Sequence, residues 1–265
     1  MNSFNKLSQL QADKSSLLCV GLDSDINKLP AHFPKEINSL LKFNMEIISS
    51  TEKYASAFKI NFAFYEQYGS EGFDILKKTI DFIGKRNFII ADSKRGDIGN
   101  TSAAYAASCF DYFGADAITV APYMGYDSVE PFLKYKDKLT FVLALTSNPG
   151  SSDFQRLEFA GKPLYKHVIE KCLGWGDTDN LGFVTGATHP GDIKGIRDIA
   201  PNHFLLIPGV GTQGANISEL LEANGNHPCT INVSRDIIYA GSGTDFAEKA
   251  ADKAKYYKDA FGFKM

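Results

Sequence analysis

Eight short apolar runs follow one another along this chain, and each precedes a longer segment in which apolar residues recur at every third or fourth position. A run that is apolar throughout is typical of a strand covered on both faces, as in a parallel sheet. The three-and-four spacing is typical of a helix that packs on one side. The predicted strands are Leu17–Leu22, Ala57–Asn61, Phe88–Ala91, Ala117–Val120, Phe141–Leu145, Gly182–Val184, Phe204–Ile207 and Thr230–Val233. The predicted helical segments are 36–54, 66–85, 100–113, 125–135, 161–173, 190–199, 215–224 and 244–260.

Two architectures are compatible with eight strand–helix units: a closed (β/α)8 barrel and an open, doubly wound sheet. The length of 265 residues matches the usual size of the barrel, and no linker rich in Pro, Gly or Ser divides the chain. We therefore predict an α/β fold of the (β/α)8 TIM-barrel type, with residues 1–265 forming a single domain. The stretch 146–161 lacks strong periodicity, and because loops of that length are usually functional, we predict a mobile lid there.

The composition narrows the possible partners and the cellular location. A net charge of -3 disfavours a nucleic-acid binder, which would usually be basic. No apolar run approaches the roughly 20 residues that cross a membrane, and the N-terminus lacks the apolar core of a signal peptide. The four cysteines are scattered and form no C-x-x-C motif, so we expect buried, reduced thiols in a cytoplasmic protein. The expected partner is a small molecule.

The third predicted strand ends in a cluster of charges, in the sequence FIIADSKRGD. Asp92 and Lys94 are two residues apart and share one face of an extended strand. Lys59 ends the neighbouring strand, and Asp97 follows shortly after, so lysines and carboxylates alternate at the mouth of the predicted barrel, where catalytic groups of this fold lie. The cluster is either a structural ion-pair network or an electrostatic catalytic site. A lysine among carboxylates keeps its proton, so Lys94 would act as a general acid.

A second motif, GVGTQG, follows the seventh strand and includes Gly209, Gly211 and Gly214. Three interpretations remain open: a phosphate site, a plain tight turn, or a dinucleotide site with Asp236 as the acidic partner. The dinucleotide fingerprint normally belongs to the first strand–helix unit, whereas the loops after strands seven and eight of a barrel commonly bind phosphate. Arg235 follows strand eight and can supply a guanidinium to the phosphate oxygens.

Other kinds of chemistry receive little support from the sequence. The histidines form no metal-ligand cluster, and there is no G-x-S-x-G motif for acyl transfer. Asp23, Asp92 and Asp97 could in principle hold Mg²⁺. His189 precedes a proline, and we interpret it as a residue at a helix entry rather than as a catalytic base.

Taken together, these motifs resemble those of the orotidine 5'-monophosphate decarboxylases. The segment ADSKRGDIGNTSAAYA is similar to the bacterial type 2 branch of that family, PGVGTQG and the Ser-Arg pair after strand eight are similar to its phosphate-binding elements, and TSNPGSS is similar to its pyrimidine-side loop. The resemblance extends from about residue 17 to about residue 240. The single residues that carry it are Asp23, Lys59, Asp92, Lys94, Asp97, Ile98 and Thr101.

The resemblance implies a reaction, in which orotidine 5'-monophosphate loses CO2 to give uridine 5'-monophosphate in de novo pyrimidine biosynthesis. It implies that Lys94 protonates C6 of the pyrimidine, that Asp92 lies near the substrate carboxylate, and that Asp23 binds the ribose with Lys59 beside it. It further implies that no cofactor and no metal are used.

The resemblance also implies a homodimer with shared active sites. Asp97 and Thr101 would complete the site of the partner subunit. Ser147 would contact the pyrimidine, and Gln213 and Arg235 would hold the 5'-phosphate. It assigns no role to Arg95.

Three alternatives remain at this point. Sister enzymes of the same barrel group, such as 3-keto-L-gulonate 6-phosphate decarboxylase and hexulose-phosphate synthase, share the D-x-K-x-x-D motif but use Mg²⁺. A non-catalytic nucleotide-binding barrel would carry the same phosphate loop. A nucleic-acid contact by Lys94 and Arg95 is disfavoured, because the chain has no wider basic stripe.

Overall fold

The computed structural model describes residues 1–187, 189–211 and 216–263. Within these residues, eight parallel strands close into a barrel. The prediction of a closed barrel rather than an open sheet is therefore confirmed, and each predicted strand is present. The barrel strands are β1 (Leu18–Gly21), β2 (Ala57–Asn61), β3 (Phe88–Arg95), β4 (Ala117–Val120), β5 (Leu139–Leu145), β8 (Leu181–Thr185), β9 (Phe204–Pro208) and β10 (Cys229–Val233). Their order around the barrel is β1-β10-β9-β8-β5-β4-β3-β2. A separate antiparallel hairpin consists of β6 (Glu158–Phe159) and β7 (Lys162–Pro163).

Helices surround the barrel, and each of the predicted helical segments overlaps one. They are α1 (Ser3–Lys14), α2 (Ile37–Thr51), α3 (Ala63–Glu66), α4 (Gly69–Ile83), α5 (Gly99–Ala107), α6 (Tyr126–Leu133), α7 (Ser151–Phe154), α8 (Leu164–Cys172), α9 (Pro190–Arg197), α10 (Ile217–Asn224), α11 (Arg235–Ile238) and α12 (Phe246–Phe261). A π-helical turn, Ser108–Tyr112, continues α5.

The second predicted helical segment, 66–85, is not one continuous helix. Its first residue is the end of α3, and after a short turn the chain continues as α4 from Gly69. The turn brings two backbone segments very close together. A Cβ atom at Gly72 would lie 1.9 Å from the carbonyl oxygen of Tyr65, so only glycine is compatible with this approach. Glycine at position 72 therefore permits the close approach of α4 to the end of α3.

Helix α1 was not predicted, and it closes the N-terminal end of the barrel. Its apolar residues Phe4, Leu7 and Leu10 pack against the cluster of side chains inside the barrel. The Lys6 ammonium lies 2.7 Å from the Asp116 carboxylate, and the Ser3 hydroxyl donates to the Asp116 carbonyl oxygen at 2.8 Å. Polar and apolar residues are mixed along α1 without a clear helical periodicity, so the sequence did not predict this helix. The residues that it buries are those that fit the open end of the barrel.

The inside of the barrel changes from apolar to polar along its axis. Near the N-terminal end it is filled by large side chains such as Phe88, Ile90 and Phe141. Because side chains alternate between the two faces of a strand, Asp92 points to the same inner face as Phe88 and Ile90. Lys59 likewise follows Ala57 on β2. The apolar filling at one end thus supports a polar cavity at the other.

The remaining expectations from the composition concern cysteines and membranes. All four cysteines, Cys19, Cys109, Cys172 and Cys229, are buried and free, which confirms the prediction of buried reduced thiols. Across the part of the chain that the structure describes, no helix combines the length and the apolar character needed to span a bilayer.

Candidate active site

A cavity of about 330 Å³ opens at the C-terminal ends of the barrel strands. This is the end at which the active sites of such barrels lie. Part of its wall is apolar, formed by Leu143, Val184 and Leu206, and part is charged. The predicted site residues that line it are Asp23, Lys59, Asp92, Lys94, Ser147, Gly209 and Arg235.

Asp92 is the centre of the charged wall. Its Oδ2 accepts a hydrogen bond from the Lys59 ammonium at 2.7 Å, and its Oδ1 accepts one from the Lys94 ammonium at 2.6 Å. The Thr119 hydroxyl donates to the same Oδ1 at 2.9 Å. Asp23 extends the chain of charges, because its Oδ1 lies 3.5 Å from the Lys59 nitrogen. Sequence reasoning did not find Thr119, which becomes visible only when the strand register is known.

The two lysines differ in their access to solvent. The Lys59 side chain is only 5% exposed, and that of Asp92 is 8% exposed. The Lys94 side chain is 48% exposed, although its ammonium contacts the buried carboxylate. Lys59 therefore acts as a fixed, buried counter-charge, whereas Lys94 has access both to the cavity and to water.

The pKa shifts in this network follow from two opposing effects. Burial by itself would lower the pKa of Lys59, but the charges of Asp23 and Asp92 outweigh it and raise the pKa above its usual value. Burial would likewise raise the pKa of Asp92, but Lys59 and Lys94 hold it well below the usual range of a carboxyl group. Both groups are therefore ionised at neutral pH.

The backbone at Lys94 adopts a conformation that residues other than glycine rarely take. Its φ angle is +46°, in the left-handed region, and the pairing of β3 with β4 is irregular between Ala91 and Arg95. The Lys94 amide donates to the Thr119 hydroxyl oxygen at 3.0 Å, which holds this conformation in place. Such a conformation costs about 1–3 kcal/mol and occurs preferentially at functional sites.

One end of the cavity, for which the sequence predicts phosphate binding, is formed by the loops after β9 and β10. Gly209 and Gly211 both have φ of +104°, which favours glycine. A Cβ atom at Gly211 would lie 3.3 Å from both the Cβ of Asp236 and the Tyr257 hydroxyl. The Tyr257 hydroxyl in turn donates to Asp236 at 2.6 Å. The predicted residues Gln213 and Gly214 lie outside the described residues.

The loop after β5 presents Ser147 to the cavity and is internally bonded. The side-chain oxygen of Gln155 accepts a hydrogen bond from the Thr146 amide at 2.7 Å, and the Gln155 amide nitrogen donates to the Thr146 hydroxyl at 2.9 Å. Arg156 forms an ion pair with Asp192 at 2.6 Å, which ties the loop to α9. The stretch 146–161 thus contains a helix and one strand of the hairpin; that it moves as a lid stays a prediction.

Residues 16–250 match the model of the orotidine 5'-phosphate decarboxylase / HUMPS family. The chain belongs to this family.

Three relatives show how extensive the similarity is. The orotidine 5'-phosphate decarboxylase of Porphyromonas gingivalis is 49% identical over 91% of this chain and 90% of its own. The structure of an OMP decarboxylase from Leishmania donovani is 36% identical, with a TM-score of 0.83, and the match covers 98% of this chain and 99% of that one. A UMP synthase from the same organism is 37% identical with a TM-score of 0.86, and this chain spans 57% of its length while 97% of this chain is matched. The predicted family is confirmed.

Two site residues that the family resemblance implies lie away from the described cavity. Asp97 is half-buried and its Oδ1 accepts a hydrogen bond from the amide of Ile98 at 2.7 Å. Thr101 is exposed on the first turn of α5. Within one chain of this decarboxylase-family member, neither residue belongs to the cavity wall as it is described. Gly211 does not line that wall either; it packs against Asp236 and Tyr257.

Arg95, to which the resemblance assigned no role, lies on the outer side of the barrel. Its guanidinium forms an ion pair with Glu66 and lies 4.9 Å from the ring centre of Tyr105. It also lies 6.0 Å from the ring centre of Phe62. These contacts connect β3 with α3 and α5, so Arg95 is a structural residue beside the site.

The carboxylates of the site are committed to lysines rather than arranged around a metal position. Across residues 1–187, 189–211 and 216–263, no group of three or more His, Cys, Asp or Glu side chains could hold a metal ion. Asp23 and Asp92 both face Lys59, and Asp97 contacts a backbone amide elsewhere. The possibility that Asp23, Asp92 and Asp97 form a Mg²⁺ site is therefore not supported by their placement.

Proposed function

We propose that this protein decarboxylates orotidine 5'-monophosphate to uridine 5'-monophosphate and CO2, with Lys94 delivering the proton to C6. The activity follows from membership of the decarboxylase family and from curated relatives of that name at 49% identity over most of the chain. The observation that carries the proposed mechanism is the Lys59–Asp92–Lys94 network at the mouth of the barrel. Such a reaction is a step of de novo pyrimidine biosynthesis.

The cavity offers a distinct group for each part of the nucleotide. The loops at Gly209 and Arg235 supply a backbone turn and a guanidinium for the 5'-phosphate. Asp23 can accept hydrogen bonds from ribose hydroxyls beside the buried Lys59. Ser147, on the far side, reaches the pyrimidine. This arrangement directs C6 and its carboxylate towards Asp92 and Lys94.

The chemical step needs a fixed positive charge and a proton donor. When the bond between C6 and the carboxylate breaks, CO2 leaves and the electron pair remains on C6. The Lys94 ammonium is held at this wall by Asp92 and stabilises the negative charge as it develops. A proton then moves from Nζ to C6, and the exposed Lys94 side chain regains a proton from water.

The charges around Lys94 support its role as an acid rather than a base. Asp92 stays ionised because Lys59 and Lys94 lower its pKa. Its carboxylate contacts the Lys94 ammonium at 2.6 Å and, together with Asp23, raises the pKa of Lys59. Because the counter-charge is preorganised, little reorganisation is needed as the carbanion forms.

We extend the proposal to a homodimer with shared sites. Thr101 is exposed and Asp97 is half-buried, and both lie near an exposed apolar patch. The patch consists of Ile98, Tyr123, Met124 and Tyr126, which are 53%, 88%, 47% and 48% exposed. Gly96, the residue before Asp97, lies next to this patch, because a Cβ atom added there would lie 3.3 Å from the Cβ of Ala121 and 3.7 Å from the Met124 side chain. In the proposed dimer, a second copy covers this patch and Asp97 reaches the cavity of that copy. We further propose that the dimer is cytoplasmic.

The direct test is the loss of pyrimidine absorbance when the purified protein is incubated with orotidine 5'-monophosphate and a chelator. We expect turnover at an undiminished rate. A rate that falls with chelator and returns with Mg²⁺ would favour the metal-dependent sister activities instead. Binding of the nucleotide without turnover would favour a non-catalytic nucleotide-binding barrel.

A further inference from the structure

Asn232 is a polar residue of the cavity wall to which the proposed mechanism assigns no role. Asn232, near the end of β10, lines the cavity and is only 5% exposed. Its Oδ1 is buried and has no hydrogen-bond partner, and its amide nitrogen has none among the residues that the structure describes. Buried amides without partners are rare, because each loses its bonds to water without replacement.

The position of Asn232 in the barrel indicates what it faces. In the strand register it pairs with Pro208, the residue before Gly209 of the phosphate loop. Arg235 follows it by three residues on its own chain segment. Asn232 therefore lies on the phosphate side of the cavity, one step deeper than the loop itself.

On its other side, Asn232 lies next to Gly21 of β1. A Cβ atom at Gly21 would lie 3.0 Å from the Asn232 Oδ1 and 2.7 Å from the Cβ of Ser234. Because Gly21 has no side chain, Asn232 and Ser234 pack directly against its backbone, and in the register Gly21 pairs with Lys59 of β2. The amide thus lies between the predicted phosphate site and the strand that carries Lys59.

We propose that Asn232 is a specificity residue whose amide N–H donates to an oxygen of the 5'-phosphate ester of the bound nucleotide. This inference rests on the proposed function. The Asn232 Oδ1 lies against Gly21, which leaves the amide nitrogen for the cavity. The non-bridging oxygens of a 5'-phosphate are charged acceptors that this nitrogen can bind, whereas a nucleoside has only a neutral 5'-hydroxyl at this end. The residue would therefore distinguish a nucleotide from the corresponding nucleoside.

The test compares uridine 5'-monophosphate with uridine as ligands, by calorimetric titration of the wild-type protein, Asn232→Ala and Asn232→Asp. Asn232→Ala removes the donor, and we expect about tenfold weaker nucleotide binding. Asn232→Asp keeps the shape but places a carboxylate against the phosphate, and we expect about a hundredfold loss. Uridine should bind all three proteins within about twofold.

A matched control is Thr140→Val. It removes the buried hydroxyl of Thr140, which also has no hydrogen-bond partner but lies on β5 away from the cavity wall. It should leave both affinities unchanged. If the Asn232 variants weaken both ligands equally, or neither, the amide does not read the phosphate and the inference is wrong. If the wild-type protein neither binds the nucleotide nor decarboxylates orotidine 5'-monophosphate, the proposed function fails instead. Should Asn232→Ala not fold, the isosteric Asn232→Asp still decides the question.

Discussion

The carboxylate of Asp92 lies 2.7 Å from the buried ammonium of Lys59 and holds Lys94 with its other oxygen at 2.6 Å. One carboxylate thus neutralises a lysine that is almost fully buried and positions a second lysine that is half exposed. This division determines what each substitution should do. Changes at Lys94 should affect catalysis, and changes at Asp92 should affect both catalysis and stability.

Lys94→Ala should lower the decarboxylation rate by about 10³-fold or more, because it removes the proton donor and the cation beside C6. The thermal unfolding midpoint should hardly change, since the side chain is half exposed. The measurement is steady-state turnover together with calorimetry. Lys134→Ala is the matched control, because this exposed lysine pairs with Glu130 one helical turn away and lies outside the cavity wall. A Lys94→Ala protein with wild-type turnover would contradict the mechanism.

Asp92→Asn should destabilise the protein by about 3–5 kcal/mol, because it leaves the buried Lys59 without a full counter-charge. Urea unfolding at neutral pH measures this free energy. Asp81→Asn is a suitable comparison, since Asp81 forms an exposed pair with Lys77 worth less than about 1 kcal/mol. Equal losses in the two variants would mean that the Asp92 network does not stabilise the fold.

The stabilisation by Asp92 should depend on pH in one direction. Its pKa is lowered in the folded protein, so the carboxylate stabilises the fold at every pH above the unfolded value of about 3.9. Below that value the unfolded chain takes up a proton that the folded protein does not, and the stabilisation falls. The difference in unfolding free energy between wild type and Asp92→Asn should be constant from pH 5 to 8 and shrink towards pH 3. A difference that grows on acidification would contradict the assignment.

Shared active sites should be revealed by mixing two inactive variants. In a mixed dimer of Lys94→Ala and Asp97→Ala, one of the two sites would combine an intact Lys94 with the partner's intact Asp97. With free exchange, half of the dimers are mixed, so about a quarter of wild-type activity should return. Differently tagged subunits establish that exchange has occurred. Exchange without any recovery would exclude a site shared in this way.

Helix α1 should contribute to stability and not to catalysis. Leu7 is fully buried against the inner barrel, so Leu7→Ala should lower the unfolding free energy by about 2–5 kcal/mol. Leu10 is only partly buried, and Leu10→Ala should cost less. Turnover of the folded variants should be unchanged, because the helix lies at the opposite end of the barrel from the cavity. Lost turnover in a fully folded Leu7→Ala protein would show that the two ends are coupled.

The sequence alone predicted the strands and the position of the charge cluster. Local alternation was sufficient, because successive residues of a strand point to opposite faces, which places Asp92 and Lys94 together. The end of β3 at the barrel mouth followed from the fold class. The role of Ser147 and the service of Asp97 to a partner subunit, by contrast, came from a family resemblance, whereas Arg235 was also predicted from its position after strand eight. The contacts of all three with a substrate stay predictions.

Other features were decided only by the tertiary structure. Thr119 and Asn232 look like ordinary strand residues, and only the register between strands brings them to the cavity. Arg95 stands beside Lys94 in the sequence, yet the strand directs it outward to Glu66 and Tyr105. The apolar periodicity of α1 is weak, because this helix packs across the open end of the barrel and buries only the residues that fit there. Periodicity along the chain specifies which face a residue occupies, but which residues meet across that face depends on strand order and barrel closure, and these involve contacts between distant parts of the sequence.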